Sequence, residues 1–236
     1  MIPIKILTQP SDTTCGPTSL HAVYNYYGME IPLKQVISEV SYLEEGGTLA
    51  VMLGIDALKK GFKVKIYTYN LLVFDPTWFS DKKVNLIFKL QMQLKHKKSK
   101  RLHKATKAYI EFLENGGQIL FKDLNTAFLK KKFEQNIPIL TGLSATYLYN
   151  CSRERTGKGD KTIYDDVKGF STGHFVVLCG YDREKKHVIV ADPYKENPFS
   201  GNNYYSVKIG RLINSIMLGI VTYDANLLII EKQDEM

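Results

Sequence analysis

The 236-residue sequence predicts an α+β protein in which a helical first half packs against an antiparallel β-sheet built by the second half. Two observations carry this. Up to about residue 135 the apolar residues recur mostly at helical spacing, whereas after Asn136 they fall into short alternating or continuous runs separated by turn residues. The hydrophobic fraction of 44% is ordinary for a globular chain and sufficient for a sizeable core. One domain over residues 1–236 is expected, mainly helical over 1–135 and β-rich over 136–236.

The stretch Gln9 to Gly28, QPSDTTCGPTSLHAVYNYYG, opens the first helix. Pro17 sits just inside its start, where a missing N–H costs nothing, and Gly28 supplies a left-handed stop. Between them Leu20, Val23, Tyr24 and Tyr27 share one buried face. Leu33, Val36, Ile37 and Val40 repeat the spacing after Pro32. A third helix carries Met52, Ile55 and Leu58; Thr48, following Gly46 and Gly47, is its expected cap and Gly61 its end. Phe62 to Tyr69 alternates as a strand. Val84, Ile87, Leu90 and Leu94 mark another helix, Ala105, Ala108, Tyr109 and Phe112 continue helically to Asn115-Gly116-Gly117, and Asp123 is the expected cap of a helix running through Phe133. Beyond Asn136, strands are expected at Ile137 to Leu143, Thr146 to Tyr149, His174 to Tyr181, His187 to Ala191, Tyr204 to Val207 and Asn226 to Ile230, with a short helix at Arg211 to Met217. The polar stretch Asn150 to Thr172 is too long for a hairpin loop and reads as a lid or an insertion.

Composition narrows the function classes. The net charge of +8 is concentrated in Lys95, Lys97, Lys98, Lys100, Arg101, Lys104 and Lys107. That run lacks the interleaved aromatics of a single-strand binding surface, which argues against nucleic acid and leaves a solvated helix face or a contact with an anionic partner. Neither a charged leader with an apolar run nor eighteen consecutive apolar residues is present, so a soluble cytoplasmic protein without a transmembrane segment is expected. Cys15, Cys151 and Cys179 form an odd set without metal-ligand spacing, which predicts no disulfide, no metal and no cofactor.

Cys15 heads the first helix, where free N–H groups and the macrodipole favour the negative charge of a thiolate nucleophile. Such a nucleophile needs a base, and the base needs a partner that sets its tautomer. Gly173-His174-Phe175-Val176-Val177 puts a histidine at a strand entrance, and Val190-Ala191-Asp192-Pro193 ends the next strand in an aspartate. If these strands form a hairpin, His174 and Asp192 meet at the same end of it. His21, His96, His103 and His187 lack such a context. Gln9, six residues before Cys15, can fold its amide back over the helix start and, with the Cys15 backbone N–H, stabilise an oxyanion.

In this order, Gln9, Cys15-Gly16-Pro17, Gly173-His174-Phe175-Val176-Val177 and Asp192-Pro193 resemble the papain-like cysteine peptidases, most closely the bacteriocin-processing, double-glycine leader peptidases and their stand-alone relatives. The resemblance implies a papain-like fold, Cys15 as nucleophile, His174 as general base and acid, Asp192 as its orienting partner and Gln9 in the oxyanion hole. It implies a thiol peptidase that cleaves a peptide or isopeptide bond of a peptide or protein substrate. Two departures stand out: Thr14 occupies a position that is commonly acidic in the processing enzymes, and no exporter is expected to follow. The same acyl-enzyme resolved by an amine would make a peptide-bond former or transamidase. A catalytically idle binding module using the basic 95–107 run is the alternative of a different class.

Overall fold

The computed structural model describes residues 1–43, 47–81, 83–157 and 162–233. Gly46, beside the expected third-helix cap, and residues 158–161 of the expected lid lie outside these. Helices α1 (Cys15–Tyr26), α2 (Leu33–Glu39) and α3 (Ala50–Lys59) lead into strand β1 (Lys63–Thr68). After α4 (Leu86–His96) and α5 (Lys100–Glu114) come β2 (Gln118–Leu120), α6 (Thr126–Glu134) and β3 (Ile139–Ser144). The chain continues through α7 (Ala145–Tyr149), β4 (Glu154–Thr156), β5 (Thr162–Tyr164), β6 (Gly173–Asp182), β7 (His187–Ala191), β8 (Tyr204–Lys208), α8 (Ile209–Leu218) and β9 (Asn226–Glu231).

Among the described residues one seven-stranded sheet runs in the order β2-β1-β9-β3-β6-β7-β8, antiparallel except for β1 and β2. The parallel β1–β2 pair needs a crossover, which α4 and α5 supply. The sheet therefore crosses residue 135: β1 and β2 extend the second-half strands through β9. Side-chain alternation divides the core between its two faces. Phe175, Val177 and Cys179 of β6 join a cluster with residues of α1, α2, α3 and α5, while Val176 and Leu178 join another with Leu129 of α6, Leu148 of α7 and Leu212 and Ile216 of α8. The α+β class holds, with helices on both faces of the sheet.

Several local expectations change in the folded chain. Thr146 to Tyr149 is helical, because the Ser144 hydroxyl accepts the Tyr147 N–H and caps α7 against the strand propensity of its tyrosines. Thr48 does not cap α3; its hydroxyl donates to Ser41 O, and the Ala50 N–H is taken at 2.9 Å by the carboxylate of Asp224. The cap of α6 is Asn125 rather than Asp123, with its Oδ1 accepting from Phe128 N–H at 2.9 Å. Strand β2 was not expected, and within the Asn150 to Thr172 stretch β4 and β5 pair as a two-stranded sheet.

Helix α1 is enclosed more fully than its one predicted face requires: every residue from Cys15 to Tyr24 is buried, between β6 and β3 on one side and α2 and α3 on others. Gly28 ends it with φ +80°, as the sequence predicts. Gly16 makes the close packing possible. A Cβ there would stand 2.5 Å from Thr48 Cγ2 and 3.3 Å from the Phe175 ring, and the Thr48 rotamer is held by the hydroxyl bond to Ser41 O. Gly16→Ala should therefore lower stability by about 1–3 kcal/mol, the usual range for overpacking. The midpoint of urea unfolding measures this, and an unchanged midpoint would mean that α1 sits more loosely.

Candidate active site

Alternation along β6 and β7 puts His174 on the side of Val176 and Leu178, and Asp192 on the side of Val188 and Val190, which is one face of the sheet. The hairpin register, Val177 opposite Ala191, then brings the two to the same end, and His174 Nε2 lies 2.7 Å from Asp192 Oδ1. Asp192 is wholly out of solvent and His174 nearly so. Three further donors converge on this carboxylate: the Tyr149 and Tyr205 hydroxyls on Oδ2 at 2.6 and 2.7 Å, and the Tyr194 N–H on Oδ1 at 2.8 Å. Burial opposes the charge on Asp192, yet His174, Tyr149 and the Tyr194 amide hold its pKa below the ordinary value. For His174, burial alone would lower the pKa, and the Asp192 charge and hydrogen bond, with a smaller contribution from hydrogen bonding to Cys15, raise it to about 10. Since Nε2 is committed to Asp192, Nδ1 is the ring nitrogen left for Cys15.

Cys15 and His174 line one cavity of about 230 Å³ together with Thr48, Arg101, Thr222 and Asp224. His174 also lines a second cavity, of about 430 Å³, which contains Gln9. The N-terminal segment carries Gln9 there past β6 and β8: Ile2 N–H donates to Cys179 O, the Tyr204 hydroxyl donates to Ile4 O and accepts Ile6 N–H, and Gln9 N–H donates to Pro193 O at 2.9 Å. Within the Gln9 amide, Nε2 donates to Ser11 O at 3.0 Å, and Oε1 is buried without a donor. The structure thus joins Cys15, His174 and Asp192, and sets Gln9 in the adjoining cavity with part of its amide committed to the Ser11 turn.

A family model described as the peptidase C39-like family matches residues 1–214. The chain belongs to the peptidase C39-like family. Among solved structures, a C39-like peptidase from Bacillus anthracis is similar over 100% of this chain and 98% of its own, with a TM-score of 0.53 and 15% identity. A double-glycine motif protease from an AMS/PCAT transporter, solved with its leader peptide, covers 98% and 94% at a TM-score of 0.45 and 15% identity. The peptidase domain of the Streptococcus bifunctional transporter ComA covers 98% and 99% at 0.44 and 14%. No curated protein matches the chain. At 15% identity the Bacillus anthracis likeness shows the fold alone, and this C39-like chain has the papain-like cysteine peptidase fold. Among its described residues no helix is long and apolar enough to cross a membrane.

In this C39-like chain, Tyr149 and Tyr205 are site residues that sequence reasoning did not single out. A signal existed for Tyr205, which alternates inward with Val207 on β8, opposite Val190 and so beside the end of the aspartate's strand. None existed for Tyr149, whose placement depends on α7 being a helix. Thr14 has a structural task at the position before the nucleophile: its hydroxyl donates to Ser11 O at 2.9 Å and accepts Ser11 N–H at 3.1 Å, closing the turn that feeds α1. The remaining histidines have other surroundings. His21 is buried against Asn25, His187 faces Ser206, and His96 and His103 lie in the basic run.

Arg101 ties that run to the site. Its guanidinium donates to Thr222 O at 3.1 Å and lies 5.0 Å from the Tyr223 ring centre, while most lysines of the run are exposed. Asp224 is buried below it, and burial pushes its pKa from 3.8 up to about 7, against the Ala50 N–H, Asn226 and the Arg101 charge. A carboxyl group whose pKa rises on folding binds a proton in the native state over a range where the unfolded chain has lost it, so stability declines as pH rises through that range. Between pH 3.8 and about 7 the native protein should lose stability relative to Asp224→Asn, which keeps an acceptor for Ala50. Melting temperatures of the two proteins across this interval test the point, and parallel curves would refute it.

Proposed function

We propose that this C39-like chain is a cysteine peptidase that hydrolyses a peptide or isopeptide bond through a Cys15 acyl-enzyme. The observation that carries the reading is the buried His174–Asp192 pair on the cavity that also holds Cys15. Asp192 keeps the imidazole oriented and favours its protonated form, and His174 beside Cys15 can hold the thiolate as an ion pair. The thiolate attacks the substrate carbonyl carbon, the C–S bond forms, and charge collects on the oxygen. The Cys15 backbone N–H at the head of α1 and the uncommitted N–H of the Gln9 amide are the donors for that oxygen. His174 gives its proton to the departing amine as the C–N bond breaks, leaving a thioester. Water, losing a proton to His174, then attacks the thioester carbonyl and releases the carboxylic acid, which restores Cys15.

The other thiols supply an internal control. Burial, with some effect of Glu154, raises the pKa of Cys151, and burial raises that of Cys179 to about 12. Iodoacetamide at neutral pH should therefore alkylate Cys15 at least about tenfold faster than either, and His174→Ala should remove that advantage. Equal rates at all three cysteines, read by mass spectrometry of tryptic peptides, would refute the proposal.

The pH profile offers a second test. His174 should remain protonated through neutral pH and lose its proton near pH 10. In Asp192→Asn the burial that lowers the His174 pKa persists while the charge that raises it is gone, so the alkaline limb of kcat/KM should move to lower pH. A limb that stays in place would show that Asp192 does not set the histidine's protonation.

A further inference from the structure

The Asn150 to Thr172 stretch, which the catalytic reading leaves unused, builds a wall beside His174. Its antiparallel β4–β5 pair presents Glu154 and Tyr164 to the cavity of about 430 Å³ on the Gln9 side of the histidine. The Thr162 hydroxyl ties β5 to Asp12 at 3.4 Å, just ahead of the nucleophile. We infer that this cavity is a subsite for a cationic amine of the substrate, a lysine or arginine side chain or an amine that receives the acyl group. Asp12, Glu154 and Glu196 would neutralise the charge, with Tyr149, Tyr164 and Tyr194 as its aromatic walls. The inference rests on the peptidase reading for the identity of the neighbouring nucleophile.

Charge is the first support. Three carboxylates line the cavity and no lysine or arginine does so among the described residues, in a chain whose net charge is +8. Two arginines beside the cavity wall are engaged elsewhere: Arg155 Nε pairs with Asp165 at 2.9 Å and Arg153 donates to Asp166 O. The carboxylates also act on one another. Burial raises the Glu154 pKa, the Asp12 charge adds to that rise, and Asp12, Glu154 and Glu196 all bear on Tyr194. Like charges gathered in a half-buried hollow cost free energy that a bound cation recovers.

A second, independent support is the unpaired acceptor. Gln9 lines the same cavity, and its Oε1 is out of solvent with no donor. Buried acceptors are nearly always paired, so this one calls for an N–H group from a ligand. The aromatic walls suit the same chemistry, since the faces of tyrosine rings attract ammonium and guanidinium groups. The rings of Tyr149 and Tyr194 have centres 6.1 Å apart, and that of Tyr194 is 6.3 Å from the imidazole of His174. A cation held there lies within a residue or so of the bond that Cys15 attacks.

The full chain can be tested with octapeptide libraries in which one position carries lysine, norleucine or glutamate and the cut sites are read by mass spectrometry. Lysine should be preferred over norleucine at one fixed position relative to the cut, and glutamate disfavoured there. In Glu154→Gln/Glu196→Gln the lysine-to-norleucine ratio should fall about tenfold, the scale of a charge-assisted contact. Equal cleavage of the lysine and norleucine peptides, or a ratio unchanged in the double variant, would overturn the inference. Binding gives an arm that needs no turnover. Cys15→Ser protein should show saturable NMR shifts with Nα-acetyl-lysine methylamide and not with the norleucine compound, and the double variant should lose them; equal responses to both compounds would count against the subsite. Binding of lysine by a chain that cuts no peptide would leave the subsite standing and remove the peptidase reading. With a free alkylamine present during turnover, an amide product identifies the occupant as an acyl acceptor, and hydrolysis alone identifies it as a substrate side chain.

Discussion

The carboxylate of Asp192 is the constraint around which the second half of the chain is arranged. An ionised group wholly out of solvent carries a desolvation penalty of several kcal/mol unless its lone pairs are met. Four donors meet them, drawn from four places: His174 on β6, Tyr149 at the end of α7, Tyr205 on β8, and the Tyr194 N–H of the turn after β7. Each contact requires its element to be in register. The polar cluster therefore ties sheet alignment, the capping of α7 and the orientation of the imidazole to one buried charge.

The nucleophile is held by a different kind of constraint. Helix α1 is held mainly by being enclosed, with Gly16 allowing Thr48 and Phe175 to close upon it and the Ser19 hydroxyl donating to Phe175 O. Cys15 and His174 are thus supplied from opposite sides of the sheet's end, one by dense apolar packing and the other by a satisfied polar network. Asp224 links these two halves of the site. It caps α3 through Ala50, bonds Asn226 at the start of the interior strand β9, and lines the cavity that Cys15 occupies.

The segments that lie between the predicted site residues are not appendages. The 71–132 region contributes Tyr109 and Phe112 to the core, pairs β2 with β1, and delivers Arg101 to the Cys15 cavity. The Asn150 to Thr172 stretch brings Glu154 and Tyr164 to the neighbouring cavity. Both shape the cleft through side chains whose neighbours lie far away in sequence, and neither has a local pattern that announces this.

What the sequence determined by itself is what short-range physics can encode. Proline and glycine punctuation with 3.6-residue spacing marked α1, α2 and α3, alternation marked β1 and β8, and the strand-turn-strand run from His174 to Asp192 was enough to predict their meeting, because two-residue periodicity and a tight turn settle which face and which end each occupies. What only the tertiary structure decided depends on partners distant in the chain. Tyr149 is drawn to Asp192; α3 takes its cap from Asp224; Gln9 comes to share a cavity with His174 because the first residues bond to β6 and β8. Hydrogen bonds between residues 43 positions apart, as Tyr149 and Asp192, or 174 apart, as Ala50 and Asp224, leave no local periodicity, so only the folded chain reveals them.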